Sequence, residues 1–182
     1  MLYIMRHGKT DWNALRKIQG RTDIPLNEEG RRMAEEAGRQ YQTTHFDICY
    51  CSPLKRAAET AELFLKGRNV PILYDNRLME MSFGSCEGMN GDKEGKDSPI
   101  HTLFQDPVHY IPAEGGETFE ELFDRTGDFL EEVVKPALQE GKDVLIIGHG
   151  AMNSSIVCQV KDIPLENFWD AGIENCKLMR LV

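Results

Sequence analysis

Five short apolar-rich segments, 1–5, 46–51, 70–74, 143–148 and 177–181, are too brief for helices and suit strands. Between them the apolar positions recur at helical spacing. Met33, Ala34, Ala37 and Tyr41 form one stripe, with Asn27 as its N-cap and Glu28 and Glu29 in its first turn. Ser52 reads as the N-cap of a second helix, with Pro53 at its first position, Arg56 in its first turn and an end near Lys66. The strongest stripe starts near Glu117 and takes in Phe119, Leu122, Phe123, Thr126, Phe129, Leu130, Val133 and Val134. Pro136 is placed to bend that helix, and Gly141 follows its end. A last helix is expected over 152–161. Pro71 marks the third strand as an edge or a strand start.

Two stretches break the rhythm. Residues 10–25 are polar and read as a long functional loop. Residues 81–115 are glycine-rich and read as a covering loop with a short helix near 101–105. The alternation of strands and helices predicts an α/β fold, a three-layer α/β/α sandwich with a mostly parallel central sheet. No repeat or linker divides the chain, so residues 1–182 are expected to form a single domain.

Composition narrows the partner. The 182 residues are 41% hydrophobic and 28% charged, as in ordinary globular proteins. A net charge of −9 argues against nucleic acid or an anionic membrane, so an anionic substrate would need cations gathered locally. No stretch is long and apolar enough to span a bilayer, and no secretory signal is expected. Cys49, Cys51, Cys86, Cys158 and Cys176 are odd in number and contain no C-x-x-C pair, which fits reduced thiols in the cytoplasm. The five histidines show no ligand spacing, and neither a metal nor a cofactor is expected.

The chemistry collects at strand ends, where open α/β sheets bind ligands. His7 follows the first strand and His149 the fourth. Arg56 lies just past the second strand and Glu80 just past the third. Together these types suit phosphoryl transfer. A neutral imidazole can attack phosphorus, arginine forks hold phosphate oxygens, and a carboxylic acid can protonate the leaving alkoxide. A second imidazole, protonated, would add charge, and the exposed amides near Ser52 would add dipolar help.

These residues carry a family resemblance. Arg6-His7-Gly8-Lys9-Thr10 with Asn13 resembles the R-H-G-x-T-x-x-N signature of the histidine phosphatase superfamily, the phosphoglycerate mutase-like proteins. Ser52-Pro53-Leu54-Lys55-Arg56-Ala57, the 78–88 block around Glu80, Gly115–Phe119 and Ile147-Gly148-His149-Gly150 resemble its further blocks. The resemblance implies a metal-independent phosphoric monoester hydrolase in which His7 becomes phosphohistidine. It implies that Arg6, Arg56 and His149 hold the phosphoryl group, that Asn13 and Gly150 line the pocket, and that Glu80 is the proton donor. Glu87 is a rival acid whose plainer reading is a solvated loop carboxylate. Cys86 departs from the family's frequent tryptophan, which bears on pocket shape.

Segment 81–114 contains no arginine and only Lys93 and Lys96, while Ile100, Leu103, Phe104, Tyr110 and Ile111 are apolar. Such a lid favours hydrolysis of a small phosphorylated metabolite over mutase activity, which needs contacts to a compact acidic substrate. A phosphoglycerate mutase and an α-ribazole phosphatase stay as alternatives, and a homodimer is left open. Three readings from other classes have less support. Gly84-Ser85-Cys86-Glu87-Gly88 fits a cysteine nucleophile elbow but lacks a helix start after it. Gly148–Asn153 begins like a dinucleotide fingerprint but lacks the third glycine. A non-catalytic phosphoprotein-binding module could dispense with His7 or Glu80, and both are present.

Overall fold

A computed structural model describes residues 1–92 and 95–182 and the backbone of Lys93. Strands β1 (Leu2–Arg6), β2 (Ile48–Cys51), β3 (Ile72–Tyr74), β4 (Val144–Gly148) and β5 (Leu178–Arg180) form one sheet in the order β3-β2-β4-β1-β5. The first four run parallel, and β5 pairs antiparallel with β1. β3 takes the edge, and Pro71 stands just before its first residue, so both placements expected of the proline are met.

The pleat sends alternate side chains to two cores. Leu2, Ile4, Val144 and Ile146 pack on one face beneath helices α5 (Phe119–Phe129) and α7 (Gly150–Lys161). Met5, Cys49, Cys51, Leu145 and Ile147 pack on the other beneath α2 (Glu28–Gln40) and α3 (Lys55–Phe64). β4 is central, and all five of its residues are buried. Its near-continuous apolar run follows from having both faces covered.

Several local expectations change. The 10–25 stretch is not wholly irregular: Asp11–Ala14 forms a short helix, α1, closed by a capping box between Thr10 and Asn13. Ser52 is not an N-cap. The helix starts at Lys55 after Leu54, which donates no side-chain cap. Just before Pro136 the helix changes its hydrogen bonding: a π turn over Leu130–Val134 carries α5 into α6 (Lys135–Gln139), with the proline in the first turn of α6. α7 begins at Gly150, two residues earlier than its periodicity suggests.

The 81–115 segment is anchored to the core. Met81, Phe83, Cys86, Ile100 and Leu103 are buried, and a helix, α4, spans Pro99–Gln105. Gly84–Cys86 is a single 3₁₀ turn followed by extended backbone at Glu87, so no strand–turn–helix elbow forms there. Among the described residues no helix is long and apolar enough to cross a membrane.

Candidate active site

Register places the chemistry. Arg6 pairs with Gly148, and Cys51 with Ile147, so β1, β4 and β2 end at the same level. The next residues are His7, His149 and Ser52. The His7 N–H donates to Gly148 O at 2.9 Å, and the Ser52 N–H to Ile147 O at 3.1 Å, extending the ladder into the site. The two imidazole rings stand 5.1 Å apart between centroids. Gly8 then passes so close to α2 that a Cβ there would lie 2.5 Å from Gly30 O, so only glycine fits after the histidine.

His7 is buried, and its Nδ1 lies 2.6 Å from Gly8 O. A carbonyl only accepts, so Nδ1 carries the proton and the Nε2 lone pair is left to react. Burial first, then the charges of Arg56 and Arg6, push His7 well below the ordinary histidine range. It is therefore neutral at neutral pH, the state a nucleophile needs.

For His149, expected as an imidazolium, burial and the same arginines hold the ring well below its usual value and favour the neutral form. Its donor capacity comes from Ser52 instead. The Leu54 N–H donates to Ser52 Oγ at 3.3 Å, and the same oxygen lies 2.7 Å from His149 Nε2, where the Ser52 hydroxyl can donate. With Nε2 accepting, the ring proton sits on Nδ1.

Arg56 is 1% exposed, and its fork is pinned from behind. Nη1 donates to Thr22 O at 2.9 Å and Nη2 to Gly20 O at 2.6 Å. Burial lowers it to about 10 against the pull of Glu80 and Asp23, so it keeps its charge at neutral pH. Arg6 is lowered by burial and partly restored by Glu80. Glu80 Oε1 accepts from the Met81 and Met152 amides at 2.9 and 3.0 Å, and Oε2 from Ala151 at 3.2 Å. Amides of α7 thus act on Glu80, while the Lys55 N–H near Ser52 is taken by Asp23 at 2.8 Å.

Arg6, His7, Arg56, Glu80 and Gly150 meet at the inner end of a cavity of about 630 Å³. Asn13 also lines it, although its Oδ1 is engaged by the Thr10 backbone and hydroxyl. Arg6 Nε, Arg56 Nε and His149 Nδ1 are buried with no hydrogen-bond partner among the described residues. Buried donors are normally paired, so three of them around one imidazole mark a place for an anion.

Glu87 is not a solvated carboxylate. Its Oε1 accepts from Arg21 N at 3.0 Å and Phe83 N at 3.1 Å, and its Oε2 from Thr22 N at 2.9 Å and the Thr22 hydroxyl. It clasps the turn whose carbonyls hold Arg56. Other supports were hidden from sequence reading. Thr60 Oγ1 accepts from Gly8 N, Asn153 Nδ2 donates to Met5 O, and Asn175 Nδ2 donates to His7 O. None has a local motif to betray it. The cavity mouth likewise includes Arg16 and Lys17 from the 10–25 stretch and Trp169 from near the C-terminus. Of the two lysines noted in segment 81–114, the Lys93 side chain lies outside the described residues.

A family model described as "Histidine phosphatase superfamily (branch 1)" matches residues 2–182. The chain is similar to the uncharacterized phosphatase PhoE of Bacillus subtilis (strain 168), at 37% identity over 157 residues, 86% of this chain and 75% of that one. It is also similar to a 2,3-bisphosphoglycerate-dependent phosphoglycerate mutase of Cytophaga hutchinsonii, at 32% identity over 171 residues, 92% and 80% of the two chains. The solved structure of Bacillus stearothermophilus YhfR superposes with a TM-score of 0.88 at 33% identity, covering 97% of this chain and 88% of that one. With the model spanning nearly the whole chain, the protein belongs to branch 1 of the histidine phosphatase superfamily and is a hydrolase acting on phosphate esters.

Proposed function

We propose that the protein hydrolyses small-molecule phosphate monoesters through a phosphohistidine on His7, without a metal. The observation that carries this reading is the neutral His7, oriented by Gly8 O, beside three buried donors with no partner. His7 Nε2 attacks phosphorus as the bond to the leaving oxygen breaks, and Glu80 delivers a proton to that oxygen. Glu80, now a carboxylate, takes a proton from water, the water oxygen attacks phosphorus, and Nε2 departs. Arg6, Arg56 and His149 Nδ1–H stabilise the equatorial oxygens with charge and dipoles set in place by folding. Asn13 and Gly150 complete the lining.

One feature favours hydrolysis over mutase chemistry. A mutase must retain a compact acidic intermediate with fixed cations. At this mouth the Arg16 charge is taken up by Asp92 at 2.6 Å. Five buried thiols support a cytoplasmic setting, and the cavity supports a small phosphorylated metabolite as substrate.

Turnover of p-nitrophenyl phosphate should survive EDTA and disappear in His7→Ala. Labelled substrate should leave an acid-labile, alkali-stable phosphate on the wild type alone. Substantial activity in His7→Ala would remove His7 from the nucleophile's role. Conversion of 3-phosphoglycerate to its isomer at a rate matching its hydrolysis would reassign the protein to the mutases.

A further inference from the structure

Part of the cavity's lining differs in character from the charged cluster around His7. Phe83, Phe104, Trp169 and Ile18 form its apolar wall, contributed by four separate segments of the chain. Phe104 and Trp169 stack with centroids 4.8 Å apart at 41°. Phe104 keeps 41% of its surface exposed, so its ring is open to a ligand in the cavity.

This aromatic pair is braced from behind. Trp169 Nε1 donates to Leu103 O at 2.7 Å, so its one polar atom is satisfied and the indole offers the cavity only carbon surface. Behind it, Phe168 is fully buried and meets Trp169 edge-on at 4.9 Å. The surface is therefore set before a ligand arrives, which lowers the entropic cost of binding against it.

Two cations at the same mouth already have partners within the protein. Arg16 pairs with Asp92 at 2.6 Å, and Lys17 Nζ lies 5.5 Å from the Trp12 ring centroid. A three-carbon phosphate ester bearing a carboxylate would find few uncommitted cations there and would leave most of the 630 Å³ to water. A planar ring would cover the exposed aromatic surface and fill that space.

Resting on the phosphatase reading above, we infer that the preferred leaving group is an alcohol carrying a planar aromatic or heteroaromatic ring, which stacks on Phe104 and Trp169. Phosphorylated amino acids and glycerates are then the poorer substrates. Phe104 and Trp169 select the substrate, and the inner cluster performs the same chemistry on whatever ester is presented.

The test compares kcat/KM for 2-phenylethyl, 2-cyclohexylethyl and ethyl phosphate, whose leaving alcohols are similar in acidity, so that differences report the pocket. The phenyl ester should exceed the ethyl ester about tenfold or more, with the cyclohexyl ester between them. Phe104→Ala, at an exposed position, and Trp169→Leu should each cut the phenyl-to-ethyl ratio by about threefold or more. Equal efficiency for phenyl and ethyl esters overturns the inference. So does greater efficiency with phosphoserine or 3-phosphoglycerate, or a ratio unchanged in both variants. In those cases hydrolysis itself still stands. If neither these esters nor p-nitrophenyl phosphate turns over, the phosphatase reading fails and this one with it.

Discussion

Replacing Glu87 by glutamine separates a positioning carboxylate from a proton donor. Each Glu87 oxygen accepts two hydrogen bonds, Oε1 from the amides of Arg21 and Phe83 and Oε2 from the amide and hydroxyl of Thr22. Glutamine keeps one acceptor oxygen and turns an NH₂ towards two donors. Hydrogen bonds to a charged group contribute about 1.5–3 kcal/mol each, and for a half-buried carboxylate the lower end applies, so two lost bonds cost about 3 kcal/mol. For a chain of this size that is a drop in Tm of roughly 6–12 °C. Gly20 and Thr22, released from the clasp, hold Arg56 through 2.6 and 2.9 Å bonds, so the fork loosens without being removed. Complete loss of an oxyanion donor typically costs 10²–10³ in rate, and loosening one should cost about tenfold. The assay is a series of aryl phosphates of graded leaving-group acidity, read alongside thermal unfolding. Glu87→Gln should slow every ester by a similar factor, whereas Glu80→Gln should slow esters of poor leaving groups most. A Tm within about 1 °C of wild type would refute the clasp. Slowing by Glu87→Gln that grows as the leaving group worsens would make Glu87 the acid.

Two further outcomes follow from the histidines. Nitrogen-15 spectra of the wild type should show both His7 and His149 neutral and protonated on Nδ1, and Ser52→Ala should disturb the His149 signal alone while lowering kcat/KM about tenfold; an unchanged His149 spectrum would detach Ser52 from tautomer choice. Stability should fall as pH drops below 6.5, because the unfolded chain takes up protons there while buried His7 and His149, held well below that value, do not. One unit below 6.5 the two together account for about 3 kcal/mol, readable by urea unfolding, and His149→Asn should remove half of that slope; an unaltered slope would contradict the buried neutral state.

Strand and helix positions were legible in the sequence because they rest on local periodicity. The β4 run is apolar throughout because both of its faces are covered, and the α5 stripe repeats every turn because one face meets the sheet. His7, Arg56, Glu80 and His149 were legible for a related reason: parallel strands deliver their carboxyl ends to one edge, so residues just beyond them converge. Boundaries were less legible at Ser52. Its side chain caps a helix in many local contexts, and here a histidine 97 positions away in the chain captures the hydroxyl.

What the sequence determined by itself was therefore the sheet, its crossing helices and the gathering of His7, Arg56, Glu80 and His149 near one sheet edge, set by short-range pattern and strand polarity, while their proposed roles came from the family resemblance. Tertiary structure alone decided their states. Burial beside two arginines favours the neutral form of both imidazoles, Ser52 engages Nε2 of His149, and Glu87 becomes a clasp because the 20–22 turn folds against it. It also decided the mouth of the cavity, where Arg16, Phe83, Phe104 and Trp169 come from segments far apart in the chain. Electrostatic environment and long-range contacts depend on neighbours in space, and no local spacing of residues encodes them.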